Sequence, residues 1–219
     1  MIDKFNMTKT DNVLATRRVL PDSIWKSANL AGIPISYART NDLLNDVPVP
    51  EIKPSESNRI LALRAAWEWM LDTIDTPLDW RTVEILHRIV APFGHEGWLK
   101  RPEQAKADWD GWMRIENETE RAISVLIGMT RLPWFQYDSE SVALLAANKI
   151  LIENGRGVLQ IPVELDTTFR TLLDGEENTL KDWLFAHCLD GTVYSEQFLK
   201  EMENEEACKA SVAKRKENS

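Results

Sequence analysis

Cysteine is nearly absent: the chain has two, Cys188 and Cys208, among 219 residues. Two cysteines cannot build a disulfide framework. His187 stands beside Cys188, but no second Cys-x-x-Cys or His-x-x-x-His pattern completes a zinc ligand set, so both thiols read as small neutral side chains. Basic runs are missing before Lys214-Arg215-Lys216, and the net charge is -9. A polyanion repels nucleic-acid phosphate, so direct nucleic-acid binding is not expected. The basic triplet sits in a polar tail and reads as a solvated helix end. No apolar stretch approaches the ~20 residues that a membrane span needs. The opening MIDKFNMTKTDN is polar and lacks the pattern of a secretory leader. The expected setting is the cytoplasm, soluble and reducing, with no membrane contact and an idle Asn117-Glu118-Thr119 sequon. No metal or other cofactor is expected.

What is present is apolar and helical. Hydrophobic residues make up 43% of the chain and nine are tryptophan, a globular composition. Val13, Leu14 and Leu20 mark a first helix, broken at Pro21, which also suits the first turn of the next helix up to Leu30. Ser36 to Leu44 reads as a short helix, and Asp46 to Pro54, with three prolines, as a linker. Ile60, Leu63, Trp67, Met70, Leu71 and Ile74 form one stripe on a long helix capped by Ser55 or Ser57. Asp79 caps the next, with Val83, Leu86 and Val90 inside. Pro92 to Gly111, rich in charge and tryptophan, reads as a loop. Glu118 to Leu132 is helical, and Pro133 ends it.

The run from Val142 to Ile152 is apolar almost all round, so its helix is central and buried. Asn154-Gly155 stops it. Two further helices are predicted over 163–173 and 179–189, then an amphipathic one from Tyr194. Strand patterns do not exceed four or five residues. The class is all-α, organised as an N-terminal lobe (1–50), a core (51–191) and a C-terminal helix and tail (192–219).

Several segments together resemble the Fic (Fido) domain family. NVLATRR and SIWKSANLAGIPIS are similar to its N-terminal helices, and LALRAAWEWMLDTIDTPLDWRTVEILHRIV to its first core helices. ANKILIENGRGVLQIPVEL and FRTLL are similar to the segment after its signature, and LKDWLFAHCLDG to its closing helix. The resemblance implies a helical bundle around a central buried helix, with a β-hairpin flap that is short or missing here. It also implies, for the family, transfer of AMP from ATP to a hydroxyl on a protein.

The family signature resembles HPFxDGNGR. Anchoring on Ala147-Asn148-Lys149 sets it without a gap on PWFQYDSES, where Phe135 alone matches. Pro133 stands where the resemblance puts the general base, a histidine, and has no titratable group. Tyr137 stands for the metal-holding acid, Asp138, Ser139 and Glu140 for the glycine-rich phosphate turn, and Ser141 for the phosphate-pairing arginine. Helix N-termini favour anions; here the resemblance implies that Asp138 and Glu140 fill that end themselves, as helix caps. Shifting Asp138 into the metal position would turn the buried helix by about 100°. Ser27-Ala28-Asn29-Leu30-Ala31-Gly32 matches the spacing of the family's inhibitory (S/T)xxxE(G/N) motif, with Ala31 in place of the glutamate. Between Gly97 and Asn117 the flap pattern IGGTxWxP is missing.

Other chemistry is thin. His87 lies on an apolar stripe and reads as a packed core histidine; His95, in the Gly94–Gly97 loop, is the other candidate base, placed where it could reach a cleft. Asp108-Trp109-Asp110-Gly111 lacks the remaining calcium ligands and reads as a capped turn. Trp98, Trp109, Trp112 and Trp134 are expected in loops around the former active face, either docking a partner or plugging the space of the lost flap; docking is the expectation adopted. The resulting expectation is a catalytically inactive Fic-like protein that binds another protein: a Fic relative, a former Fic target, or a defence component. The alternatives are an active Fic-type AMP-transferase with non-standard residues and an acidic decoy of a nucleic-acid-binding protein. Self-association is left open.

Overall fold

The computed structural model describes residues 2–91 and 102–191. Among them are ten helices and a single pair of two-residue strands. Helix α1 (Lys9–Arg18) follows Thr8, whose hydroxyl accepts from the Asp11 N–H at 3.1 Å. Helix α2 (Leu20–Leu30) carries Pro21 in its first turn, where a missing N–H costs nothing. Ser36 caps α3 (Tyr37–Leu44). Helix α4 (Pro54–Asp72) begins earlier than its serines predict: Pro54 takes the first helical position, and Glu56 Oε2 accepts from the Lys53 N–H at 3.3 Å. Asp79 caps α5 (Trp80–Val90) through the Thr82 N–H, 2.7 Å away, as expected.

After α6 (Pro102–Trp112), Asn117 caps α7 (Glu118–Arg131). Helix α8 (Ser139–Glu153) is followed by β1 (Val158–Leu159), α9 (Asp166–Leu173), α10 (Glu177–His187) and β2 (Leu189–Asp190), which pairs antiparallel with β1.

The reading of Pro92 to Gly111 as a loop is corrected from Pro102 onward. Ala105, Trp109 and Trp112 recur at helical spacing and turn toward α5 and α7, while Lys106 and Asp110 pair one turn apart at 2.6 Å on the outside. Asp108-Trp109-Asp110-Gly111 lies within this helix. The segment had looked like a loop because its glycine, aspartates and proline are turn-forming residues by composition.

Every residue of α8 from Ser141 to Ile152 is buried, as its all-round apolar pattern predicts. Helix α7 packs along its length, and α1, α4, α5 and β1 complete the enclosure. Ile24, Ala28 and Leu30 of α2 belong to the same buried cluster. Two polar side chains of α8 are buried and serve the frame. Asn148 bonds Leu159 by both its N–H and its carbonyl, and Lys149 Nζ donates to Thr73 O and Ile74 O beyond the end of α4. Burial holds the Lys149 ammonium below the usual lysine range, against the pull of Glu153 and Asp75. The predicted C-terminal helix and tail from Tyr194 lie outside the described residues. Among the described residues no helix is long and apolar enough to cross a membrane.

Candidate functional site

The loop 132–138 joins α7 to α8 and carries the positions that matter. Trp134 and Phe135 turn inward, fully buried, while Leu132, Pro133 and Tyr137 face out. The Phe135 ring stacks on His87, centroids 3.9 Å apart and nearly parallel, and His87 Nε2 lies 3.1 Å from Tyr137 O. His87 is 1% exposed, so it is the packed core histidine its stripe predicts, holding the loop from below. Ser139 Oγ accepts from the Trp134 N–H at 3.1 Å, tying the loop to the start of α8. His95 lies outside the described residues.

At the N-terminus of α8 the carboxylates do not act as caps. Asp138 occupies the capping position with φ 53° and makes no side-chain cap. The left-handed region is costly for a non-glycine residue and tolerated best by aspartate and asparagine. That backbone turn directs the carboxylate sideways, and Oδ1 accepts from Arg59 Nη2 of α4 at 2.5 Å. Glu140 accepts two bonds from Arg170 of α9, at 2.6 and 2.9 Å. The expectation of two capping carboxylates is thus corrected: both are spent on arginines from other helices.

The same two arginines reach α2. Arg170 Nη2 donates to Leu30 O at 2.8 Å, and Arg59 Nη2 approaches Ala31 O at 3.4 Å. These carbonyls lie at the C-terminal end of α2, where the negative end of the helix dipole attracts cations. A recess of about 310 Å³ remains, lined by Leu30, Ala31, Gly32, Arg59 and Asp138 to Ser141. Ala31 and the start of α8, far apart in sequence, therefore share one site. Arg59 and Arg170 were missed by sequence reading. Arg59 stands in no local motif, and the one local cue for Arg170 is Asp166 a turn before it; the partners that build the site lie 79 and 30 residues away.

Burial pushes the Glu140 carboxyl above the ordinary glutamate range, while the Arg170 pair pulls it back. A raised folded-state pKa means that the native state binds the extra proton, so this group's contribution falls as pH rises through that value. Arg170→Met removes the counter-pull. Because Arg170 is 41% exposed, water screens part of the pair. The expected loss is small near pH ~4 and about 1–2 kcal/mol larger near pH ~7.5. Urea unfolding of both proteins at the two pH values checks it; a loss independent of pH contradicts it.

The tryptophans expected at an open face are packed instead. Trp109 and Trp112 lie on α6, and Trp134 lies beneath them, 6.2 Å edge-on from Trp109 and 5.8 Å stacked on Trp112. Trp109 is 3% and Trp134 0% exposed, and Trp112 is partly buried. Gly128 of α7 is the seat of Trp112, since a Cβ there would run into its ring. This corrects the expectation of exposed loop aromatics: α6 closes over the loop, and the indoles fill the space between them. Trp98 lies outside the described residues. At the other end of the chain Cys188 is buried, and its thiol is pushed up to about 12, so it stays protonated and unreactive.

No family model matches this chain, and no curated protein sequence does either. Solved structures do. Fic-1 from C. elegans is similar with a TM-score of 0.72 at 16% identity, over 88% of this chain and 67% of that one. A Fic domain containing signaling protein from Bacteroides thetaiotaomicron is similar with a TM-score of 0.70 at 14% identity, over 81% of this chain and 85% of that one. The chain has the fold of the Fic domains.

Proposed function

We propose that this chain is a Fic-fold protein that does not transfer AMP and acts by binding another protein. The supporting observation is the pair of ionic links at the start of α8, Asp138 to Arg59 and Glu140 to Arg170. Nucleotide phosphates need open N–H donors and net positive charge at such a helix end. Here two carboxylates stand there, and the two guanidinium groups nearest them are already engaged with those carboxylates and with α2. Pro133, where the Fic resemblance places the base, offers no proton acceptor on its side chain. His87 offers no substitute, being sealed under Phe135.

Calorimetry with ATP and Mg²⁺ tests the reading. No binding heat is expected up to about millimolar ATP; a dissociation constant near micromolar overturns it. A second expectation concerns repair. Pro133→His alone yields no AMP transfer, because a base accomplishes nothing when the α-phosphate is not held in line. Label passing from radioactive ATP to the variant or to a protein of the lysate contradicts this. The partner itself is sought by capture from native lysate, with a tryptophan-cluster variant as the negative control for folding rather than for docking.

A further inference from the structure

We propose that the chain pairs with a second copy of itself through the outward face of the α4–α5 hairpin. Helix α4 presents Ile60, Leu63, Trp67 and Met70 to the core. On its other side Leu61, Ala65 and Trp69 recur every four residues, which places them in one row. Leu61 is 37% exposed, Ala65 is exposed and Trp69 only partly buried. Helix α5 does the same: Val83, Leu86 and Val90 point inward, while Ile85, 44% exposed, and Ile89, partly buried, lie outward one turn apart. The connection over 73–79 folds α5 back along α4, and the two helices pack side by side. The two rows therefore lie on the outward side of one helical hairpin, with Trp69 and Ile89 half sunk against the core and Leu61, Ala65 and Ile85 standing out. A solvent-facing helix surface is ordinarily charged, and a continuous apolar strip on a folded protein marks an interface.

Charge selects the occupant. Asp72 ends α4 and Arg81 opens α5, so they sit at the same level of the hairpin. Asp72 bonds Arg17 yet remains 66% exposed. Arg81 is exposed, its guanidinium lies 5.5 Å over the Trp80 ring, and it acts on the Asp79 carboxylate through space, without a direct ion pair among the described residues. A two-fold axis parallel to the hairpin lays α4 of one copy over α5 of the other at equal heights. Using the rise of ~1.5 Å per residue, Arg81 then meets Asp72 of the partner subunit, Ile85 meets Trp69 of the partner subunit, and Ile89 meets Ala65 of the partner subunit. An axis across the hairpin at the level of Ile85 would instead bring Arg81 near Arg88 of the partner subunit, a like-charge contact that the Glu84 pair of Arg88 only partly offsets. The strip is thus complementary to itself in one arrangement and not in the other. This pairing does not depend on whether the chain transfers AMP.

Sedimentation equilibrium of the full chain tests it. The expected result is a dimer that dissociates in the micromolar range and is weakened at least tenfold by Ile85→Glu, with helicity by circular dichroism unchanged. Because that residue is apolar, a surface charge exchange keeps the test open if the variant misfolds. Arg81→Glu and Asp72→Arg each weaken the dimer, and together they restore it toward the starting value. A monomer throughout the micromolar range overturns the proposal, including one that binds a different protein through this face. So does a dimer indifferent to Ile85→Glu, or a charge pair that fails to rescue.

Discussion

Trp134→Ala lowers the stability of the fold by about 3–5 kcal/mol, the range for removing a fully buried large aromatic side chain. The indole is 0% exposed against Trp109 and Trp112 of α6, and the Trp134 backbone N–H donates to Ser139 Oγ at the start of α8. None of these can collapse into the vacated space without leaving the frame that α8 sets, so the cavity persists. The indole Nε1 is buried with no partner among the described residues. Among the described residues the ring contributes apolar volume and no bond. Trp134→Phe keeps most of that volume and sheds the unpartnered N–H, so it should cost markedly less than the alanine variant. Urea unfolding with a constant slope separates the cases. A loss below about 1 kcal/mol for Trp134→Ala means that the indoles are not a core, and the docking role would return.

The central helix was legible in the sequence because an apolar pattern without a polar face has one physical solution, burial on all sides. Asp79 was legible as a cap because its side chain acts within three residues of itself. The same local logic failed at Asp138. Its left-handed backbone turns the carboxylate away from the N–H groups it was expected to cap, and its partner Arg59 comes from another helix. Ion pairs between distant segments leave no spacing in the sequence, so Arg59 and Arg170 could not have been nominated. The tryptophans of α6 failed for a different reason. Composition around Asp108 to Gly111 favours turns, and burial against Trp134 outweighed that local preference. The juxtaposition of Ala31 with Asp138 to Ser141 came from the resemblance alone, since composition says nothing of which helix ends meet.

Asn148→Leu is expected to cost about 3 kcal/mol or more, although the substitution adds apolar area at a buried position. Asn148 is 0% exposed in the middle of α8. Its Nδ2 donates to Leu159 O and to Leu144 O, each at 2.9 Å, and its Oδ1 accepts from the Leu159 N–H at 2.8 Å. Leu144 O keeps its helical partner in the variant. Leu159 does not keep its two bonds: its N–H and its carbonyl become buried groups without partners, each costing about 1–3 kcal/mol. Transfer of the larger apolar side chain offsets only part of this, because the pocket is shaped for a planar amide. The damage should also be local. Strand β1 is two residues long and bonds to β2, so it has little pairing of its own to hold Leu159 in place. The Leu159 amide, buried and bonded to Asn148 in the parent, should then exchange through local opening many-fold faster, while amides of α7 follow only the global loss. Hydrogen exchange with urea unfolding reads both effects. Equal stability of the variant, or acceleration spread evenly over α7 and β1, would mean that the amide does not anchor the strand to the central helix.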